Sequence, residues 1–356
     1  MAYTTIDNSV EYFNTLTYTG DGVSPKSITG VGFQPDFVWL KNRGTTNYHL
    51  LQDVIRGVTS TNVLSSNDVA AEPSFTNIGF ISSFNSDGFT ATSSGGSLAV
   101  LNASANNYVA WNWLANGAGV SNTAGSITST VSANTTSGFS IVSYTGTGAN
   151  ATVGHGLSSA PKMVIFKNRD DGTQEWDTYH IGLTDATYFI QLNSTNAQSN
   201  TNGTLRFNST APSSTLFSVG TSTTTNASGE DIIAYCFADV KGFSKAFSYT
   251  GNGSADGVFT YCGFKPAFLL VKSTGADNWC MLDNKRDTFN VMDKRLFPNL
   301  SNAESTGVPT VVDFVSNGFK LRTSDSSFNL NGQSFIGFAI AENPFVTSTS
   351  IPTTAR

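Results

Sequence analysis

Tyr18-Thr19-Gly20 returns as Tyr144-Thr145-Gly146 and again as Tyr249-Thr250-Gly251, and this triplet decides how the rest of the chain is read. After each copy a proline opens an apolar run ending in lysine: Pro35-Asp-Phe-Val-Trp-Leu-Lys41, Pro161-Lys-Met-Val-Ile-Phe-Lys167 and Pro266-Ala-Phe-Leu-Leu-Val-Lys272. Each copy closes on a strand-like segment ending in alanine: Tyr108-Val-Ala-Trp-Asn-Trp-Leu-Ala115, Ile232-Ile-Ala-Tyr-Cys-Phe-Ala238 and Phe335-Ile-Gly-Phe-Ala-Ile-Ala341. The separations from tyrosine to alanine are 97, 94 and 92 residues. A unit of that length can enclose a core of its own, so the 356 residues are expected to form three tandem copies of one domain. The expected boundaries are 1–118, a Gly/Ser/Thr-rich linker at 119–136, 137–240, 241–346 and a tail at 347–356.

No stretch keeps a 3.6-residue apolar period for three turns, whereas β-forming runs bounded by glycine are frequent, as in Phe139-Ser-Ile-Val-Ser-Tyr144. The runs after the prolines and the closing segments are apolar at nearly every position, which marks strands covered on both faces. Two such strands per repeat, with more polar ones around them, predict an all-β chain of three antiparallel, jelly-roll-like β-sandwich modules. Asp87-Gly88 and Asn317-Gly318 read as hairpin turns by residue type. The second repeat lacks this signal, and Ser213-Ser-Thr-Leu-Phe217 implies a remodelled or shortened hairpin there. Asn116 to Ser137 reads as a linker with room for one edge strand and makes the first junction loose, whereas Lys241-Gly242 makes the second tight.

Charged residues make up only 12% of the chain, about half the usual share, and the net charge is −6. There is no basic footprint for nucleic acid. No apolar run approaches the roughly 18 residues that would span a bilayer, so membrane insertion is not expected. Met1-Ala-Tyr-Thr-Thr-Ile-Asp-Asn has neither the basic nor the apolar region of a secretion signal. Cys236, Cys262 and Cys280 have no equivalents across the repeats and read as buried, reduced thiols rather than a disulfide framework.

Catalytic constellations are thin. His49, His155 and His180 fit no metal-binding spacing and do not align across the repeats, and nucleophile-elbow, P-loop and dinucleotide motifs are missing. Asn252-Gly-Ser-Ala-Asp256-Gly echoes a calcium loop but lacks its distal glutamate, so it reads as a turn. Glu230-Asp231 and Asp170-Asp171 are sequence neighbours that point apart on a strand, and they read as solvated turn charges rather than a hydrolytic pair. No catalytic residue, cofactor or metal is expected. One aromatic recurs after each lysine: Tyr48, Trp176 and Trp279. These are the candidate carbohydrate-binding residues, as stacking platforms for sugar rings. The competing reading is packing across the sandwich edge, which the recurrence of the ring with the scaffold favours.

The same residues carry a resemblance. Met1-Ala-Tyr-Thr-Thr-Ile-Asp7, Phe33-Gln-Pro-Asp-Phe-Val-Trp-Leu-Lys-Asn-Arg43, His49-Leu-Leu-Gln-Asp53, Arg56-Gly57, Leu64-Ser-Ser-Asn67 and Asn343-Pro-Phe345 are similar to virion or tail-fibre proteins of tailed bacteriophages, notably those of marine bacteria and cyanobacteria. The resemblance implies a non-enzymatic structural protein, made in the bacterial cytoplasm and assembled onto a virion. It implies other tail or capsid proteins as partners, homo-oligomers (trimers above all) and a role in host attachment. The alternatives are a carbohydrate-binding array for host surface glycan and a capsid decoration protein. The second repeat has no counterpart of Asp53-Val-Ile-Arg56-Gly57, so any ligand role of Asp53 and Arg56 is expected in the first repeat alone.

Overall fold

The computed structural model describes residues 3–353 apart from 94, 96, 203 and 307–310. Each repeat builds one large antiparallel sheet on the same four strands in the same order: opening strand, closing strand, proline-led strand and the strand after it. In the first repeat these are Phe13–Thr19, Asn107–Trp113, Phe37–Asn42 and His49–Asp53. The second uses Phe139–Thr145, Asp231–Ala238, Pro161–Asn168 and Asp177–His180, and the third Ser244–Thr250, Ser334–Pro344, Phe264–Ser273 and Trp279–Asp283. The proline-led and closing strands thus take the central places that their unbroken apolar pattern predicts. Pro266 sits at a break in register, where its missing N–H leaves no gap in the ladder.

A smaller sheet covers one face of each large one. It comprises Lys26–Thr29, Gly88–Thr92 and Phe80–Asn85 in the first repeat, and Phe259–Tyr261, Gly318–Leu321 and Val312–Val315 in the third. The second repeat keeps only Ala151–Gly154 and Leu216–Val219, with the short helix Thr204–Phe207 beside them, so its hairpin is shortened as expected. In the other two the glycine allows a close approach. A Cβ on Gly88 or Gly318 would lie 2.0 or 2.1 Å from the carbonyl oxygen of Ile28 or Thr260 on the neighbouring strand.

The repeated triplet has a shared physical cause. The hydroxyls of Tyr18, Tyr144 and Tyr249 donate to the carbonyls of Leu101, Thr225 and Phe328, just ahead of each closing strand. The glycine that follows lets the two segments touch: a Cβ on Gly20, Gly146 or Gly251 would sit 2.2–2.3 Å from the carbonyl oxygen of Ala103, Ala227 or Leu330. A buried asparagine completes the clasp. Asn102, Asn226 and Asn329 accept the N–H of Asp21, Thr147 and Asn252, and donate to the carbonyls of Val23, Ala149 and Ser254. This landmark is hidden in the sequence because the residue before it differs in every copy.

The two faces of each large sheet have different fates. In the first repeat Val38, Leu40, Tyr108 and Ala110 face the small sheet and pack with Ile28, Ile81 and Phe89. Equivalent clusters fill the second and third sandwiches. The opposite faces merge: Phe37, Trp39, Trp111 and Trp113 form one core with Phe139, Ile165, Tyr235 and Phe237, and with Phe268, Leu270, Phe338 and Ile340. The repeats are therefore closed around a common core rather than strung along the chain.

That closure corrects the expected loose first junction. Residues 119–136 contain the strands Val120–Asn122 and Ser129–Asn134, which with Ile190–Gln191 at the opposite edge extend the second repeat's sheet to seven strands. The segment is polar overall, but Ile127 and Val131 are buried, and Asn116, Gly117 and Asn134 are tied by hydrogen bonds to Ser132, Asp36 and Ala115. The second junction is the tight turn expected, closed by paired backbone hydrogen bonds between Val240 and Ser244. All three cysteines are buried and free. Cys236 lies in a closing strand and Cys262 two residues ahead of Phe264–Ser273. In the tail, the Ser348 N–H donates to Asp7 at 2.6 Å. Met1, Ala2 and residues 354–356 of the expected tail lie outside the described residues.

Candidate functional site

Register identifies the recurring ring. Lys41 pairs with His49 and Lys272 with Trp279, and Phe166 opposite Asp177 places Lys167 opposite Trp176. The repeated position is thus His49, Trp176 and Trp279; Tyr48 stands one residue away and faces the other side. Each of the three rings reaches into the repeat before it around the ring of modules. Trp176 Nε1 donates to the carbonyls of Ser65 and Asp68, both at 3.0 Å, and Trp279 Nε1 to that of Gln191 at 2.8 Å. His49 Nδ1 accepts from Trp39 Nε1 at 2.9 Å, which leaves the proton on Nε2, 3.1 Å from the Phe297 carbonyl.

The sugar-platform expectation fails at two of its three residues. Trp176 and Trp279 are 0% exposed, so neither ring has a face to offer a ligand. Tyr48 keeps 38% exposure and meets Phe75 edge-on, with centroids 5.1 Å apart.

A second set of contacts lies beneath the rings. Tyr235 donates to Asp53 Oδ2 at 2.8 Å, and Trp111 Nε1 to Asp283 Oδ2 at 3.0 Å. Each aspartate also holds an arginine three residues on: Arg56 Nε and Arg286 Nε are both 2.6 Å from their carboxylates. Those arginines continue to Glu72 and Glu304, which in turn bind Arg169 and Arg43 of the adjoining repeat. Asp53 and Arg56 therefore have counterparts in the third repeat, contrary to the expectation that they stand alone. The intervening Asn284-Lys285 shares nothing with Val54-Ile55, which hid the match. With both pairs fully buried and their atoms engaged, they act as interlocks rather than ligand sites.

The remaining junction, between the second and third repeats, uses other chemistry at the same positions. His180 replaces the aspartate, Phe338 the donor, Thr274 the outer arginine and Gln198 the glutamate. The backbone contact persists, from Gln198 N–H to the Thr274 carbonyl at 2.9 Å, matching Glu72 to Arg169 and Glu304 to Arg43. Phe338 cannot donate, and His180 Nε2 instead lies 3.0 Å from the Gly337 carbonyl.

Burial sets the titration of these groups. It pulls the ammonium groups of Lys41, Lys167 and Lys272 down to about 8. Each ammonium is satisfied by carbonyls: Lys41 by Asn42 and Ser301, Lys167 by Val69 and Gln174, Lys272 by Ser273 and Gly275. Burial also lowers His49 and His155, and takes His180 down to about 4, so all three imidazoles are neutral at physiological pH. Glu230 accepts from Asn168, Asp231 from Thr145, and Asp256 is paired with Lys320 at 2.7 Å. Among the described residues no group of three or more His, Cys, Asp or Glu side chains is arranged to hold a metal ion.

The geometry defines a class: a triplicated β-sandwich protein closed in a ring on one shared core. Residues 8–344 match the family of a domain of unknown function, DUF7483, and the chain belongs to that family. The match spans all three repeats. A comparison with curated proteins gives no match.

Proposed function

We propose that the protein is a non-enzymatic structural component of a bacteriophage particle, a tail-fibre or surface-fibre element that displays its outer sheet faces for host attachment. The similarity of its first repeat to virion proteins supports the setting. The observation that carries the display reading is the cyclic interlock of His49, Trp176 and Trp279, each bonded into the neighbouring repeat. Of the groups best suited to acid–base work, His49, His180, Lys41, Lys167 and the Asp–Arg pairs are used in fastening the repeats together, and His155 and Lys272 are bound within their own repeats. What remains outside is one scaffold in three copies, held in fixed relation, with little charge to repel a partner. Repetition of weak contacts on such a surface yields avidity. Its partners in this reading are other virion proteins and further copies of itself.

The test is location. Purified particles are analysed by mass spectrometry, and the protein is placed on them by electron microscopy with a specific antibody. A fixed copy number on the tail or capsid surface is expected, and absence from intact particles overturns the proposal. Incubation with host envelope polysaccharide is expected to leave its chain length unchanged. Progressive shortening, lost on changing one carboxylate, would replace this reading with a depolymerase.

A further inference from the structure

The first strand of the small sheet stands in the same register in all three repeats. Ile28, Val153 and Thr260 pair with Phe89, Phe217 and Phe319 and point into the sandwich. The residues flanking them therefore lie on the outer face: Ser27 and Thr29, then Thr152 and Gly154, the latter covered by Asn122, then Phe259 and Tyr261. Only the third repeat places aromatic rings there, and they are 45% and 54% exposed. Two sister repeats fold with small residues at these places, so the scaffold has no need of the rings.

Their surroundings are polar. Tyr261 pairs with Gly318, which has no side chain to cover that flank of the ring, and Phe259 pairs with Lys320. Lys320 Nζ lies 2.7 Å from Asp256, and Arg322 Nε lies 2.5 Å from Asp313. On the far side the Tyr3 hydroxyl donates to the Gly263 carbonyl at 2.6 Å, and Lys241 Nζ sits 4.5 Å over the Tyr3 ring. A Cβ on Gly263 would come within 3.1 and 3.4 Å of the Tyr3 and Tyr261 hydroxyls, so both frame the same glycine.

We propose that this strip is a binding site for a neutral sugar residue of a polysaccharide, stacked on Tyr261 and Phe259 and hydrogen-bonded by the flanking ion pairs. One face of a pyranose ring presents C–H groups of partial positive charge, which match the negative face of an aromatic ring. Lys320 and Arg322 each have a carboxylate beside them, so the flank offers donors and acceptors together without excess charge. Vicinal hydroxyls need that combination, whereas an acidic sugar or a phosphate needs unpaired cations. The rings are flanked by polar groups and do not extend into the dense apolar centre that a protein interface requires. The assignment rests on the display reading and names what the display would grip.

The test uses the full chain on an array of immobilised neutral oligosaccharides built from glucose, galactose, mannose and N-acetylglucosamine. Retention on at least one of them is expected, and Phe259→Ala combined with Tyr261→Ala should lower it at least tenfold. Both side chains are exposed, so the melting temperature should stay unchanged, and Ser27→Ala with Thr29→Ala should keep full retention. Three outcomes overturn the site: no retention on any neutral glycan, retention that survives removal of both rings, or retention only on acidic glycans that Lys320→Ala abolishes. Self-association that ring removal abolishes, without glycan binding, also overturns it. A protein found on particles but without glycan affinity would sink this site alone. Glycan binding by a protein missing from particles would sink the particle assignment alone.

Discussion

Tyr235 in the second repeat donates its hydroxyl to the Asp53 carboxylate of the first at 2.8 Å, with Arg56 Nη2 3.1 Å from the same hydroxyl. Trp111 and Asp283 repeat the relationship between the first and third repeats, with Arg286 5.6 Å over the Trp111 ring. Where His180 stands in place of the aspartate, the facing residue is Phe338. The donor, the acceptor and the arginine thus occur together or not at all, as a buried carboxylate requires both partners.

Breaking one of these networks should be costly. Arg56→Met leaves the Asp53 and Glu72 carboxylates with lost partners in a buried setting and is expected to destabilise the fold by about 3–5 kcal/mol. Tyr235→Phe removes one neutral donor to a charged acceptor and should cost about 1.5–3 kcal/mol. Urea denaturation of the purified variants measures both. An Arg56→Met protein within about 0.5 kcal/mol of the parent would show that the network does not hold the junction.

Because one core serves all three repeats, the chain should unfold in a single cooperative transition. A fragment covering residues 137–240 would expose Ile141, Ile165, Tyr235 and Phe237 to water, and it is expected to aggregate or stay unfolded. Calorimetry of the whole chain and circular dichroism of the fragment decide the matter. Three separate transitions, or a soluble folded fragment, would show that the repeats are independent.

Acid should act through the buried imidazoles. His180 titrates at about 4 in the fold and near 6.5 when unfolded, so between these values the unfolded chain binds the extra proton. The stability that neutral His180 supports is complete above pH 6.5 and is lost as pH falls toward 4. Lowering the pH from 7 to 4.5 should cost the parent roughly 2–3 kcal/mol more than His180→Asn. Equal losses in both proteins would remove His180 as the cause.

Alkali should act in the opposite sense on Lys272. Its folded value of about 8 lies below the ordinary 10.5, so between them the unfolded state holds the proton and raising the pH favours the fold. Tyrosine and cysteine ionisation in the unfolded chain opposes this gain and is common to parent and variant. Between pH 7 and 10 the parent should therefore gain roughly 2 kcal/mol relative to Lys272→Met. A parallel pH dependence in the two proteins would contradict the burial argument.

The thiols should be inert in the fold. Cys236, Cys262 and Cys280 are buried, and burial pushes each up to about 12. A thiol reagent at pH 8 should modify none of them in the native protein and all three in denaturant, and reductant should leave the melting temperature unchanged. Rapid native labelling would place at least one of them at the surface.

Some of this architecture was determined by the sequence alone, because it depends on residues close in the chain or repeated along it. Tyr18-Thr-Gly20 and its copies set the three units, the unbroken runs after Pro35, Pro161 and Pro266 set the central strands, and the divergent Ser213–Phe217 region set the shortened hairpin. Only the tertiary structure decided which face of each covered strand met a small sheet and which met another repeat. Phe37 and Val38 are equally apolar neighbours, and alternation along a strand says that they part, not what each will touch. For the same reason the sequence left Trp176 and Trp279 between surface platform and edge packing, and the closure of the neighbouring repeats over them decided for packing. Phe259 and Tyr261 are set apart only by register, which puts them in the places that Ser27 and Thr29 hold in the first repeat. Asp53 and Arg56 were legible as a pair, but their meaning lay in Tyr235 and Glu72, brought together by the closure of a ring that no local pattern encodes.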